Sequence, residues 1–165
     1  MAAGGGRAFV YGDDVNTDVI FAGKYTYTVT ERSEMAKYAL EDLDPSFRER
    51  VQPGDVIVAG KNFGCGSSRE QAVICLKELG VAAIVADSFA RIYFRNAINL
   101  GLPVLQCEEA VDKLKAGDEV EIDFAGGRIV SGGQAFAFPP LPESVLGILE
   151  AGGLLEWTKA KLQKK

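Results

Sequence analysis

The chain has 165 residues, of which 47% are hydrophobic and 25% charged, a composition typical of one globular domain and outside the ranges of disordered or collagen-like chains. Its formal net charge of -5 argues against a nucleic acid partner, because phosphate backbones are bound by basic surfaces. The sequence lacks any apolar run of the about 18 residues that cross a bilayer, so we expect a cytoplasmic protein without a membrane partner. We expect residues 1–165 to form one domain, with residues 1–6 as a disordered tail.

In the first half of the chain, short apolar segments alternate with polar turns. Residues 7–11 (RAFVY) predict a first strand, and the segment GDDVNTD that follows predicts a turn. Apolar positions recur at helical spacing over residues 33–43, which predicts a helix ending before a proline. Residues 56–59 follow a Pro-Gly turn and predict a buried strand.

The pattern then repeats as strand, helix and strand. Helices are predicted over residues 72–79 and 89–100, closed by Gly80 and Gly101, and strands over residues 82–86 and 103–106. Two successive strand–helix–strand units favour parallel strands covered by helices. The segments EVEID and GRIV predict a hairpin, and the chain from residue 142 is predicted to be helical with an interruption at Gly152 and Gly153.

The segment KNFGCGSSREQ, residues 61–71, joins a predicted strand to a predicted helix. Gly64 and Gly66 permit backbone conformations that expose amide groups, and a helix N-terminus attracts anions. Arg69 can hold a carboxylate through two parallel hydrogen bonds. The segment therefore predicts a carboxylic acid site, although capping of the helix by Ser67, with Glu70 completing a capping box, would use the same residues.

Other common catalytic groups are scarce. Histidine, the commonest general base and nitrogen ligand, is absent. The cysteines Cys65, Cys75 and Cys107 lack CxxC spacing, which favours reduced thiols over disulfides or a self-contained metal site. We therefore expect this chain to bind no metal.

The segments GKNFGCGSSREQA and ADSFARIYFRNAINLGLPVL, together with GDDVNTDVI and EAGGLLEW, resemble the aconitase swivel-domain family. That family includes the small subunits of 3-isopropylmalate dehydratase and the mobile fourth domain of aconitase. The resemblance covers nearly the whole chain. It implies an α/β fold, namely a swivelling β/β/α domain with a partly parallel sheet flanked by helices.

The resemblance also implies a function. It indicates a hydro-lyase that isomerises 2-isopropylmalate and 3-isopropylmalate by dehydration and rehydration in leucine biosynthesis. Activity would require a large partner subunit that carries a [4Fe-4S] cluster, with no cofactor bound by this chain. By the same resemblance Ser67 would act as the base in its alkoxide form, Ser68 and Arg69 would bind a substrate carboxylate, and Asp18 would orient the arginine or the serine.

Two departures from the family pattern leave the substrate open among hydroxy di- and tricarboxylic acids. The segment FAGKYTYT stands where isopropylmalate-specific relatives commonly have YLRT, so Lys24 or Tyr27 would have to replace the missing arginine. Gln71 stands where histidine is usual, as in relatives resembling dimethylmalate dehydratase. Homoaconitase and 2,3-dimethylmalate dehydratase small subunits are therefore alternatives, and a non-catalytic carboxylate-binding or assembly module is an alternative of another class.

Overall fold

The computed structural model describes residues 4–165, and a seven-stranded sheet runs through it in the order β4-β3-β2-β1-β5-β6-β7. The strands are β1 Gly4–Val10, β2 Val56–Ala59, β3 Ala83–Ala86, β4 Val104–Gln106, β5 Glu119–Asp123, β6 Arg128–Ser131 and β7 Gln134–Ala137. The helices are α1 Thr17–Ile20, α2 Arg32–Met35, α3 Phe47–Arg50, α4 Gln71–Glu78, α5 Arg91–Leu100, α6 Glu108–Lys113, α7 Glu143–Ala151 and α8 Leu154–Gln163. Short 3₁₀ helices cover Gly23–Tyr25 and Ala36–Tyr38.

Half of the sheet is parallel and half antiparallel. Strands β1 to β4 run parallel to one another, whereas β5 pairs antiparallel with β1 and is followed by the antiparallel strands β6 and β7. Side chains alternate across the sheet: Ile57 and Ala59 join one buried cluster, while Val56 and Val58 join the other. Both faces of the parallel half are therefore covered, and the predicted α/β fold with a partly parallel sheet flanked by helices is confirmed.

The predicted N-terminal tail is wrong for three of its residues. Gly4, Gly5 and Gly6 lie in β1 and pair with β5, and residues 1–3 lie outside the described part of the chain. The glycines pair closely because they have no side chain: a Cβ on Gly5 would overlap the carbonyl oxygen of Val120. Backbone pairing thus outweighs a composition that is poor in strand-forming residues.

The helix predicted over residues 33–43 is interrupted. Helix α2 passes into the 3₁₀ helix Ala36–Tyr38, after which Ala39 is extended and Leu40 has a φ of 55°. The Leu40 N–H donates to the carbonyl of Ile20 at 2.9 Å. This long-range hydrogen bond replaces the helical one, while Ala39 and Leu40 remain fully buried.

Other predicted elements agree with the structure more closely. Helix α5 ends where Gly101 takes a φ of 85°, and the EVEID and GRIV segments pair as β5 and β6. Strand β7 and helices α1, α3 and α6 were not predicted. Within residues 4–165, no helix is long and apolar enough to cross a membrane.

The loops after β1 and β2 lie side by side, because the carboxyl ends of adjacent parallel strands meet at one edge of a sheet. Four backbone hydrogen bonds join these loops. They are Gly60 N–H to Gly12 O at 3.0 Å, Asp14 N–H to Lys61 O at 2.8 Å, Gly64 N–H to Val15 O at 2.7 Å, and Thr17 N–H to Cys65 O at 2.8 Å. The segments GDDVNTD and KNFGCGSSRE, far apart in sequence, are thereby brought together.

Candidate active site

The Ser67 hydroxyl lies at the centre of the contact between these two loops. Its Oγ is 2.9 Å from Thr17 Oγ1 and accepts a hydrogen bond of 2.8 Å from Arg69 Nε. Thr17 is only 2% exposed, and its Oγ1 also accepts the Ser67 backbone N–H at 3.0 Å. Ser67 itself is an exposed residue, so its hydroxyl lies near the surface of the chain and is contacted on its buried side by Thr17.

These contacts favour negative charge on Ser67 Oγ. Because Thr17 Oγ1 already accepts the Ser67 N–H, its own hydrogen can be donated to Ser67 Oγ. The serine oxygen would then accept from a hydroxyl and from a cationic guanidinium. Hydrogen bonds and positive charge directed at an oxygen stabilise its ionised form.

Arg69 connects the serine to the predicted aspartate. Its Nη2 donates to Asp18 Oδ1 at 2.7 Å and its Nη1 donates to Thr26 Oγ1 at 2.9 Å. Asp18 Oδ1 also accepts the Gly23 N–H at 3.1 Å. A guanidinium has five N–H groups, so the three bonds to Ser67, Asp18 and Thr26 leave two for a substrate carboxylate.

The glycine-rich segment differs from the prediction in two of its contacts. Helix α4 begins at Gln71, and its N-cap residue Glu70 makes no capping side-chain bond, so Ser67 precedes the helix by a full turn and does not cap it. The Gly64 N–H, predicted to face an anion, donates to the carbonyl of Val15. Ser67 Oγ is contacted by Arg69 Nε and Thr17 Oγ1, and stabilisation of a charge there by the helix end stays a prediction. An anion-binding role for Gly66 stays a prediction.

Gly64 is needed for packing beneath the site. Its φ is +83°, and a Cβ there would overlap the ring of Tyr93, whose hydroxyl donates to the Ala72 carbonyl at 2.9 Å.

We expect Gly64→Ala to lower the free energy of unfolding by about 3 kcal/mol, because backbone strain and overpacking add. Chemical denaturation measures the change. Gly117→Ala is the matched control: its φ is +89° and its Cβ would meet nothing within 4 Å, so only about 1 kcal/mol should be lost.

Thr17 should matter for both stability and activity. Thr17→Val keeps the shape of the side chain but removes the acceptor of the Ser67 N–H and the neighbour of Ser67 Oγ. We expect stability to fall by about 1 kcal/mol and, in an assay with the partner subunit that the resemblance implies, kcat to fall about tenfold. Thr17→Ser should restore most of both in the same assays. Equal rates for the valine and serine variants would show that the Thr17 hydroxyl does not act on Ser67.

The remaining predicted substrate residues lie around this centre. Ser68 is exposed, and its carbonyl accepts from Asn96 Nδ2 at 3.0 Å. Tyr27 is 92% exposed, and the Lys24 ammonium lies 5.1 Å from the centre of the Tyr25 ring. Tyr25 first, and the Glu41 carboxylate second, raise the pKa of Lys24. Neither Lys24 nor Tyr27 is the hydrogen-bond partner of Arg69 in this loop. That partner is Thr26, which lies between them in sequence and accepts from Arg69 Nη1.

Lys24 and Asp18 nevertheless share a cavity beside the arginine. It measures about 490 Å³ and is lined by Asn16, Asp18, Val19, Ala22, Gly23, Lys24 and Asp42. Asp18, which lines the cavity, is also the residue that pairs with Arg69.

The cysteines do not assemble into a metal site. Cys65 is partly exposed in the glycine-rich segment, whereas Cys75 and Cys107 are buried, and burial raises the pKa of Cys75. From residue 4 to the C-terminus, no group of three or more histidine, cysteine, aspartate or glutamate side chains is placed to hold a metal ion. These residues do not fit an iron–sulfur cluster.

Sequence reasoning missed Thr17 and Thr26. Thr17 directly precedes the predicted Asp18 in the NTD segment, so its proximity to the site was available from that motif. Thr26 carries no comparable signal, because its contact with Arg69 depends on how the loop folds back over 43 residues of sequence separation.

Comparison with known proteins places this site in a family. Residues 14–110 match the aconitase C-terminal domain family, a range that contains every residue of the Ser67 contact. The fold is also similar to that of aconitase X from Thermococcus kodakaraensis, with a TM-score of 0.51 and 16% identity over 84% of this chain and 91% of that one. Fold and site thus define an aconitase-type swivel domain.

Similarity to one branch of that family is much greater. The chain is 52% identical to the 3-isopropylmalate dehydratase small subunit of Caldicellulosiruptor bescii, over 96% of each chain. It is 51% identical to small subunit 1 of that enzyme from Methanopyrus kandleri, over 93% of this chain and 91% of the relative. The crystal structure of 3-isopropylmalate dehydratase (leuD) from Methanocaldococcus jannaschii matches with a TM-score of 0.92 and 43% identity, over 98% and 96% of the two chains. The chain belongs to the 3-isopropylmalate dehydratase small subunit family.

Proposed function

We propose that this chain is the small subunit of a hydro-lyase that interconverts 2-isopropylmalate and 3-isopropylmalate by dehydration and rehydration, in leucine biosynthesis. Family membership supports the reaction class. The observation that carries the proposal is the Ser67 hydroxyl, which is exposed and contacted by both Arg69 Nε and Thr17 Oγ1.

In the proposed reaction, Ser67 acts as an alkoxide. It removes a proton from the carbon adjacent to the one that bears the departing hydroxyl. A free serine is a very weak base, so the cation and the hydroxyl that contact Oγ must stabilise its charged form. On rehydration the Ser67 hydroxyl, whose hydrogen exchanges with solvent, protonates the other carbon of the double bond. Arg69 binds a substrate carboxylate through its two remaining N–H groups, with Ser68 assisting, and Asp18 holds the guanidinium in place.

The partner in this proposal is a large subunit that carries the iron–sulfur cluster and assists departure of the substrate hydroxyl. The relatives are named as small subunits, which implies a larger one. Since the described residues of this chain do not fit a cluster, we assign only base, binding and positioning roles to them.

Among possible substrates, isopropylmalate is favoured by the names of the relatives, and homoaconitate and 2,3-dimethylmalate remain alternatives. The cavity shared by Asp18 and Lys24 is the proposed place for the variable group. Lys24 could pair with an additional carboxylate there, whereas an isopropyl group would pack beside Val19 and Ala22.

Reconstitution tests the proposal. The chain is mixed with a cluster-loaded large subunit of a 3-isopropylmalate dehydratase, and the unsaturated acid is followed by its ultraviolet absorbance with each of the three substrates. We expect turnover only when both chains are present, and the highest kcat/KM with isopropylmalate. Carboxylate binding without turnover, under conditions where a known small subunit is active, would instead support a non-catalytic module.

A further inference from the structure

Thr26 makes two contacts with the segment that carries the proposed base. Its Oγ1 accepts from Arg69 Nη1 at 2.9 Å, and its backbone carbonyl accepts from Gln71 Nε2 at 2.9 Å. Both its side chain and its backbone are therefore fixed by residues from the start of α4 and the loop before it.

The residues on either side of Thr26 determine how firmly this part of the loop is held. Tyr25 stacks on Tyr38 with ring centres 4.1 Å apart and an angle of 32° between ring planes, and it also contacts Phe21 at 6.0 Å. Tyr27, on the other side, is 92% exposed. The loop is thus anchored immediately before Thr26 and exposed immediately after it.

The partners of the Arg69 guanidinium differ in their exposure to solvent. The Asp18 side chain is 72% exposed, and ion pairs with exposed carboxylates contribute little because water competes with them. Thr26 is partly buried. Close approach of the loop also requires Gly23, where a Cβ would lie 3.2 Å from Arg69 Nη1 and 3.2 Å from Asp18 Oδ1.

We infer that Thr26 is a positioning residue that fixes the plane of the Arg69 guanidinium, and that Gln71 holds Thr26 in place. This inference rests on the proposed function, because the guanidinium is positioned to receive a substrate carboxylate. Without the Thr26 hydroxyl, Nη1 loses its partly buried partner, and the guanidinium is held only by Ser67 and by the exposed carboxylate of Asp18. The two N–H groups left for substrate are then held less firmly.

The test uses steady-state kinetics of the complex with the large subunit. Thr26→Val removes the hydroxyl at nearly constant volume. We expect KM for isopropylmalate to rise about tenfold, as for one hydrogen bond to a charged group, with kcat within about twofold of wild type. Thr26→Ser should restore KM. Thr28→Val, at an exposed threonine of the same loop, is the matched control and should behave as wild type.

A double-mutant cycle shows whether Thr26 acts through Arg69. In an Arg69→Lys background, Thr26→Val should add little, because the geometry it maintains is already lost. An unchanged KM for Thr26→Val, or full additivity with Arg69→Lys, would overturn the inference.

Should Thr26→Val fail to fold, Gln71→Met tests the same inference: a raised KM supports it and an unchanged KM contradicts it. Failure of the proposed function is distinct, since the wild-type complex would then be inactive.

Discussion

Replacing Ser67 by alanine should reduce kcat of the reconstituted enzyme about a thousandfold, because the group that removes the substrate proton is lost and general base catalysis contributes effects of this size. KM should change much less, since Arg69 and Ser68 retain the carboxylate contacts. Steady-state rates in both directions of the isomerisation provide the measurement.

The control for this change is Ser33→Ala, at an exposed serine on α2, which should keep wild-type kinetics. Circular dichroism and denaturation should show Ser67→Ala folded, because Ser67 is exposed. A Ser67→Ala complex that retains wild-type kcat would remove Ser67 as the base.

Arg69→Lys should lower kcat/KM about a hundredfold. Lysine keeps the positive charge but cannot simultaneously donate to Ser67, Asp18 and Thr26 in the fixed planar geometry of a guanidinium. Most of the loss should be a rise in KM, because bidentate binding of the carboxylate disappears. A smaller fall in kcat should accompany it, since the Nε bond to Ser67 is also lost. Rates measured over a range of substrate concentration separate the two.

The matched control is Arg128→Lys, on β6 in the antiparallel half of the sheet, where the exposed side chain pairs with Asp123 and lysine can keep that pair. It should leave both kinetic constants unchanged. If Arg69→Lys lowered kcat while KM stayed constant, Arg69 would be acting on Ser67 and not on substrate.

The parallel half of the fold was predictable because its signals are local. Apolar runs such as residues 56–59 and glycines such as Gly101 mark strands and helix ends in the sequence itself. The interruption at Leu40 was not predictable, because it depends on a hydrogen bond to Ile20 that exists only once the chain has folded. The pairing of Gly5 with β5 was not predictable for the same reason, because it too depends on a contact between distant parts of the folded chain.

The same distinction applies to the site. Ser67, Arg69 and Asp18 were identified from motifs, and the structure brings them into contact. Thr26 could not be identified, because its role depends on the path of a loop. The predicted helix over residues 72–79 agrees with α4 to within one residue at each end, and stabilisation of a charge on Ser67 by the start of that helix stays a prediction.

The central claim is that Ser67 of this chain takes the proton from the substrate carbon, and hydrogen exchange tests it most directly. The reconstituted complex is incubated with 3-isopropylmalate in D₂O. NMR spectroscopy follows the signal of the hydrogen on the carbon that bears the isopropyl group, which is the hydrogen that the base removes. With wild-type chain that signal should decay as deuterium enters, and with Ser67→Ala it should persist on the same timescale while substrate still binds. Decay at equal rates in both complexes would contradict the account.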